Sequence, residues 1–231
     1  MAEEEIMQRI ELKERAKENL LSDLKIPLIS VIITLGIPLI VWGSLQYYFL
    51  YFVHAGIPLS MNFILTLPIA VILCYLFVTV LKVGEAKIFV HLSNHKLLRL
   101  KTLFQYFRYT IRVCLIHLTK GVLVLAGLLL LIIPGIYLML AYSLTDFIVA
   151  EDKDVDLVEA LKMSRGMLKG HTGELLILYL SFLPWLIFGI LTGVGLFWYR
   201  AYYRATMAEV YKAVRENYTP PEVVLNRRTL Y

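Results

Sequence analysis

Charged residues are scarce in this 231-residue chain and are absent from two long stretches. Only 18% of the residues are Asp, Glu, Lys or Arg, against about a quarter in an average soluble domain. No charged residue occurs between Ile26 and Leu81 or between Leu175 and Tyr199. Both stretches exceed the roughly 20 apolar residues that a helix needs to cross a bilayer. The scarcity of charge therefore excludes a disordered chain and predicts an integral membrane protein.

Cysteine and catalytic motifs are also rare. The chain has two cysteines, Cys74 and Cys114, and both lie inside apolar runs, so we expect free thiols rather than a disulfide scaffold. Met1 to Lys25 is polar and charged where a secretory signal peptide has its apolar centre. No nucleophile with an adjacent base, no phosphate-binding glycine loop and no carboxylate pair is visible. We therefore predict a protein that is not an enzyme and that uses no cofactor and no metal.

The distribution of charge divides the chain into three parts. Residues 1–25 carry apolar positions at helical spacing between charges, which predicts a cytoplasmic amphipathic helix lying on the membrane surface. Residues 26–215 are predicted to form a transmembrane bundle, and residues 216–231 a cytoplasmic tail. Within the bundle, residues 84–110 interleave basic and apolar side chains, and residues 155–170 place acids before bases. Both segments are predicted to be helices at the membrane interface.

The apolar run from Ile111 to Ala150 is too long for one helix across a hydrocarbon layer about 30 Å thick. Pro134 and Gly135 interrupt it. Proline removes a backbone donor and glycine permits a reversed backbone, so we predict a hairpin of two spans with its turn at the outer surface. A single kinked helix is the alternative.

Lysine and arginine fall into four clusters, in residues 1–25, 82–112, 153–169 and 200–228, and only Lys120 stands apart. With six spans all four clusters face one side of the membrane, and the positive-inside rule makes that side the cytoplasm. A model with five spans would place one of the last two clusters outside. The predicted fold is therefore an all-α polytopic membrane helix bundle of about six transmembrane helices with amphipathic surface helices. Both termini are predicted to be cytoplasmic.

Ionisable side chains inside the predicted spans point to function, because each is costly in hydrocarbon unless it is paired or hydrated. From the nearest predicted turn, Lys120, Asp146 and Arg204 lie at similar depths of roughly 21, 18 and 16 Å. One interpretation is a structural salt bridge from Asp146 to Lys120 or to Arg204. The other is a ligand site in which two arginines and neighbouring tyrosines hold a lipid phosphate or an anionic peptide. The candidate ligand-binding residues are Lys120, Asp146, Arg200, Tyr202, Tyr203 and Arg204.

Short motifs occur in a characteristic order along the chain. They include Glu11-Leu12-Lys13, Ile133-Pro134-Gly135-Ile136, Glu159-Ala160-Leu161, Lys169-Gly170-His171 and Thr192-Gly193-Val194-Gly195. On these motifs the chain resembles, from about Glu11 to Tyr211, the bacterial integral-membrane family called domain of unknown function 975. It is also distantly similar to the membrane domain of some glycerophosphodiester phosphodiesterases. The resemblance implies a multi-pass protein of the bacterial cytoplasmic (inner) membrane without an established enzymatic activity.

Three classes of function remain open. A binding protein would hold a lipid or a hydrophobic peptide within the bundle, in an envelope or immunity-type role. A transporter or permease-like subunit would use the two short-turn hairpins as moving halves. A scaffold would dock a partner membrane protein at the inner leaflet. We favour binding, and the net charge of +5 predicts anionic membrane lipids rather than nucleic acid as partners. The sequence does not define the oligomeric state.

Overall fold

The computed structural model describes residues 2–55 and 61–218, and within these ranges the chain forms helices and contains no strand. Two short 3₁₀ turns, Leu100–Phe104 and Phe107–Tyr109, lie between the third and fourth α-helices. The predicted all-α class is confirmed. The α-helices of the described residues are α1 Ala2–Ser22, α2 Lys25–His54, α3 Met61–Ser93, α4 Thr110–Leu130, α5 Ile132–Ala141, α6 Thr145–Glu151, α7 Leu157–Met167, α8 Thr172–Leu180, α9 Leu183–Thr192 and α10 Gly195–Asn217.

Five helical segments are long and apolar enough to cross a membrane. They are Lys25–Phe52, Leu67–Ser93, Leu100–Leu130, Ile132–Glu151 and Thr172–Thr192. Many large apolar side chains on these segments are exposed, as is expected of surfaces that face lipid. The chain is therefore a membrane protein. The sixth predicted span, α10, is not among the five, because its charged residues set it apart from the apolar helices.

The predicted hairpin at Pro134 is confirmed, although its turn lies three residues earlier. Leu131 is extended (φ −159°, ψ 146°) between α4 and α5, and the two helices pack against each other. Pro134 lies in the first turn of α5, where a missing backbone donor costs little. A Cβ on Gly135 would lie 2.6 Å from the backbone nitrogen of Leu128, so glycine permits the close approach of the two helices.

The predicted interfacial helix over residues 84–110 is wrong. Helix α3 continues to Ser93, and the residues that follow form a loop and the two 3₁₀ turns. The connection folds back onto α3, because Leu103 is fully buried and its carbonyl oxygen would lie 2.1 Å from a Cβ on Gly84. The alternation of basic and apolar residues thus reflects a docked loop rather than one face of a helix. The second predicted interfacial segment, residues 155–170, does contain a helix, α7, and Gly170 follows it with φ +93°.

Helix α1 packs on the bundle through its apolar positions. Ala16 and Leu20 are fully buried, mainly against α10. Asn19 Nδ2 donates a hydrogen bond to Glu209 Oε1 at 2.9 Å, and Lys13 Nζ donates one to Ser181 Oγ at 2.5 Å. Partial burial lowers the pKa of the Lys13 ammonium from its ordinary value. Helix α10 contacts α1, α2, α3 and α9, so it is the central helix on which the candidate site is built.

Candidate functional site

Seven ionisable side chains from four helices meet inside the bundle. They are Lys82 and Glu85 of α3, His117 and Lys120 of α4, Asp146 of α6, and Arg200 and Arg204 of α10. We call this set the polar cluster. Each pair on one helix is three or four residues apart, which places both members on the same helix face. The helical spacing therefore directs both members of each pair to one side of their helix, and Asp146 of α6 lies between the pairs from α4 and α10.

Arg204 is the most extensively bonded member of the polar cluster. Its Nη1 donates to Asp146 Oδ2 at 3.4 Å, and its Nη2 donates to the backbone oxygen of Lys82 at 2.7 Å. Its Nε lies 3.2 Å from Glu85 Oε1. The guanidinium carbon also lies 4.9 Å from the ring centroid of Phe147, within the range of a cation–π contact. With its side chain only 7% exposed, Arg204 joins α3, α6 and α10 and acts as a structural group.

Glu85 is the one side chain in the described part of the chain that holds Arg200 by hydrogen bonds. Arg200 Nε and Nη2 donate to Glu85 Oε1 and Oε2 at 3.3 and 3.4 Å, an arrangement in which two nitrogens face two oxygens. Within the described residues its Nη1 has no hydrogen-bond partner, and the side chain is 22% exposed. One edge of the guanidinium therefore remains accessible while the other edge is fixed by Glu85.

Asp146 pairs with both of the residues that the sequence offered as alternatives. Its Oδ2 accepts the hydrogen bond from Arg204, and its Oδ1 lies 3.7 Å from Lys120 Nζ. The same Oδ1 lies 3.6 Å from His117 Nε2. These last two distances are too long for good hydrogen bonds, and both Oδ1 and Nε2 are buried without such a partner. The α4 side of the polar cluster is therefore paired by charge but incompletely hydrogen-bonded.

The structure does not bring Tyr202 and Tyr203 into hydrogen bonds with the polar cluster. Tyr203 Oη donates to Tyr179 Oη at 2.5 Å, and Tyr202 Oη donates to the backbone oxygen of Lys13 at 3.5 Å. Both rings contact Phe182, with centroid distances of 5.2 and 5.7 Å. The two tyrosines thus form an aromatic cluster towards α8 and α9, and the other four candidate residues belong to the polar cluster.

Glu85 is the central residue that the sequence reasoning missed. It is fully buried and contacts both arginines. Because it is the one acid in a strongly basic stretch, the local composition predicts a surface position for it. A signal was present, because Leu81, Ile88 and Phe89 lie three or four positions away and define an apolar helix face around it. All three are fully buried in the structure.

The balance of charge in the polar cluster favours an anion. Four basic side chains face two carboxylates, which leaves a formal excess of two positive charges when the imidazole of His117 is counted as neutral. Charged groups that lie inside a membrane protein usually pair with one another or mark a binding pathway. The arrangement can therefore hold an anionic group by electrostatic attraction and by hydrogen bonds from arginine.

Comparison with known families identifies part of the chain. Residues 115–218 match the family described as protein of unknown function (DUF975). The predicted resemblance to domain of unknown function 975 is thereby confirmed. The DUF975 match contains α5 to α10 and most of α4, so it includes five members of the polar cluster and leaves Lys82 and Glu85 outside. Searches of curated proteins and of solved structures find no match to the chain.

Proposed function

We propose that the protein is a non-catalytic membrane protein that binds an anionic lipid inside its helical bundle, with the lipid phosphate at Arg200. The supporting observation is the partial pairing of this side chain. Glu85 occupies two of its nitrogens, and Nη1 and about a fifth of the side-chain surface remain accessible. A planar guanidinium presents donors on separate edges, so it can bind a carboxylate and a phosphate at the same time.

The two arginines then have different roles. Arg204 has the carboxylates of Glu85 and Asp146 and the backbone oxygen of Lys82 as partners, so it serves the fold. Among the described residues, Arg200 has Glu85 as its one hydrogen-bonding partner, and we assign it to the ligand. The excess of positive charge in the polar cluster supports an anionic ligand, because a phosphate there would bring the net charge closer to neutrality.

The lipid is expected to reach Arg200 from within the bilayer, with α10 acting as a sixth transmembrane helix. The 23 residues of α10 span about 35 Å at the helical rise, enough to cross the hydrocarbon layer. Six charged residues separate α10 from the apolar spans, and the two nearest its N-terminus, Arg200 and Arg204, are paired with buried carboxylates, which reduces the cost of placing these two in a membrane. This arrangement gives the predicted inner-membrane topology with both termini in the cytoplasm.

Native mass spectrometry of the purified protein tests the proposal. Wild-type protein should retain one tightly bound anionic lipid, and the Arg200→Ala variant should lose it while it stays folded by circular dichroism. Arg200→Gln, which keeps donors but removes the charge, should also lose it. The matched control is Arg165→Ala, an exposed arginine of α7, which should retain the lipid.

The alternative functions give different outcomes. Equal lipid retention by Arg200→Ala and wild type would contradict the proposal and leave the polar cluster as a structural feature. A retained peptide in place of a lipid would support the peptide-binding alternative. Movement of a solute across proteoliposome membranes would instead support the transporter, and a specific cross-linked partner at the inner leaflet would support the scaffold.

A further inference from the structure

The segment that connects α3 to α4, residues 94–112, has charges of one sign only. It contains five basic residues besides His95 and no Asp or Glu. Four of the five lie outside α4, and all five are exposed. They are Lys96, Arg99, Lys101, Arg108 and Arg112. We call residues 94–112 the connecting segment.

The connecting segment also exposes large apolar side chains. Leu97 is 81% exposed and Ile111 is 79% exposed, and Phe104 is exposed as well. Contiguous exposed apolar groups on a protein surface indicate an interaction site. Basic heads beside apolar side chains match the headgroup layer of an anionic leaflet, where charge pairs with phosphate and apolar groups enter the acyl region.

The connecting segment is fixed in place, so these side chains are displayed on a stable surface. Leu103 and Tyr106 are fully buried, and the Tyr106 hydroxyl donates to the backbone oxygen of Ala150. The ring of Phe107 lies 5.2 Å from that of Phe77 on α3. The exposed residues lie on both sides of these anchors in the chain, with Leu97 and Lys101 before Leu103 and Ile111 after Phe107. Their exposure is therefore a property of the folded loop and does not arise from a chain that has failed to pack.

The position of the connecting segment agrees with a membrane surface. Its residues 94–99 lie between two candidate spans, Leu67–Ser93 and Leu100–Leu130, and its residues 100–112 form the first part of the second span. A cavity of about 590 Å³ opens beside it, and its lining includes Arg108, Arg112 and Leu115. The lining also includes Asp154 and Asp156, and Arg112 Nη1 lies 3.5 Å from Asp154 Oδ1, so the cavity has acidic as well as basic and apolar walls.

We propose that the connecting segment is a docking surface for anionic phospholipids of the adjacent leaflet. Lys96, Arg99 and Lys101 bind lipid phosphates, and Leu97 and Ile111 enter the acyl layer. This surface is separate from Arg200, and its function does not depend on a lipid inside the bundle. Each basic side chain near an anionic surface is worth about 1 kcal/mol, which corresponds to about a fivefold change in binding.

The first test measures the lipids around the full-length protein in nanodiscs of mixed phosphatidylglycerol and phosphatidylcholine. The triple variant Lys96→Gln, Arg99→Gln and Lys101→Gln should remove most of the enrichment of phosphatidylglycerol, because each charge lost weakens the attraction of an anionic headgroup by about fivefold. The matched control keeps the charge at the same three positions. The control substitutions are Lys96→Arg, Arg99→Lys and Lys101→Arg. An equal loss in both triple variants, or no loss in either, would overturn the proposal.

The second test measures the depth of Leu97 in the membrane. A nitroxide label at Leu97→Cys, in a background of Cys74→Ala and Cys114→Ala, should collide more often with oxygen than with a water-soluble nickel chelate. The same label at exposed Glu18→Cys of α1 should show the opposite preference. Preferential collision of the Leu97 label with the nickel chelate would contradict insertion.

The two lipid proposals fail separately. If only the inner lipid site is wrong, Arg200→Ala will retain the same lipid as wild type and the triple variant will still lose phosphatidylglycerol enrichment. If only the docking surface is wrong, the triple variant will keep its enrichment and Arg200→Ala will still lose the tightly bound lipid.

Discussion

Replacement of Glu85 by glutamine should destabilise the folded bundle more than any comparable carboxylate substitution on the surface. The Glu85 carboxylate is fully buried and lies 3.2 to 3.4 Å from nitrogens of Arg200 and Arg204. Glutamine has nearly the same shape but no charge, so the variant leaves two arginines with one carboxylate, Asp146, between them. The formal excess of positive charge in the polar cluster rises from two to three.

The expected cost follows from the burial of the pair. Removal of one partner from a buried ion pair costs about 3–5 kcal/mol, because the remaining charge stays desolvated. The amide oxygen of glutamine still accepts a hydrogen bond from one arginine, which places the cost near the lower end, at about 3 kcal/mol. A chain of this size loses about 2–4 °C in melting temperature per kcal/mol. We therefore expect a decrease of about 6–12 °C in the same detergent.

Glu11→Gln provides the matched control, because Glu11 pairs with Arg15 on the exposed face of α1 and such pairs contribute about 0.3–0.5 kcal/mol. The double variant Glu85→Gln with Arg200→Gln should recover part of the loss, since it removes one unpaired cation. A melting temperature of Glu85→Gln within 1 °C of wild type would refute the reasoning and would mean that the arginines are solvated in the membrane.

Two further predictions concern the same helices. Gly84→Ala should lower the melting temperature by several degrees, because the new Cβ would meet the backbone of the connecting segment. Gly121→Ala should leave the melting temperature unchanged or raise it slightly, because there is open space around Gly121 in α4 and alanine favours a helix more than glycine does. Arg204→Lys should destabilise the fold by about 2 kcal/mol, because Arg204 makes directed contacts with Asp146, Glu85 and the backbone of Lys82. Arg200→Lys should destabilise it by less than about 1 kcal/mol, because Arg200 contacts Glu85. Thermal unfolding in detergent measures both pairs, and equal losses within either pair would contradict the assignment.

The depth argument predicted the proximity of Lys120, Asp146 and Arg204, because distance from a turn along a helix gives depth in the membrane regardless of how helices pack. It could not decide between Lys120 and Arg204 as the partner of Asp146, since that choice depends on lateral packing. The structure places both on the same carboxylate. The hydrogen-bond partners of Tyr202 and Tyr203, which are Lys13 and Tyr179, depend on lateral packing in the same way and could not be predicted from depth.

The prediction of helices succeeded where periodicity and breakers agreed, as at Pro134 and Gly170. It failed over residues 84–110. Basic and apolar residues do alternate there, but they belong to the end of α3, a loop and two 3₁₀ turns and not to one interfacial helix. The charges of Lys82 and Glu85 predict a surface position for this part of α3. The burial of Glu85 depends on its pairing with Arg200 of α10, which lies 115 residues later in the chain. Pairing over such a distance cannot be read from local composition.

The turn at Leu131 bears on how the protein enters the membrane during synthesis. Residues 121–145, which contain the tip of the α4–α5 hairpin, about half of α4 and all of α5, include no charged side chain, so the tip can cross the bilayer without the translocation of an ion. Lys120 and Asp146 flank this stretch and attract each other when the arms close. The hairpin is thus suited to enter the bilayer as one unit, with its two charges paired before either meets hydrocarbon.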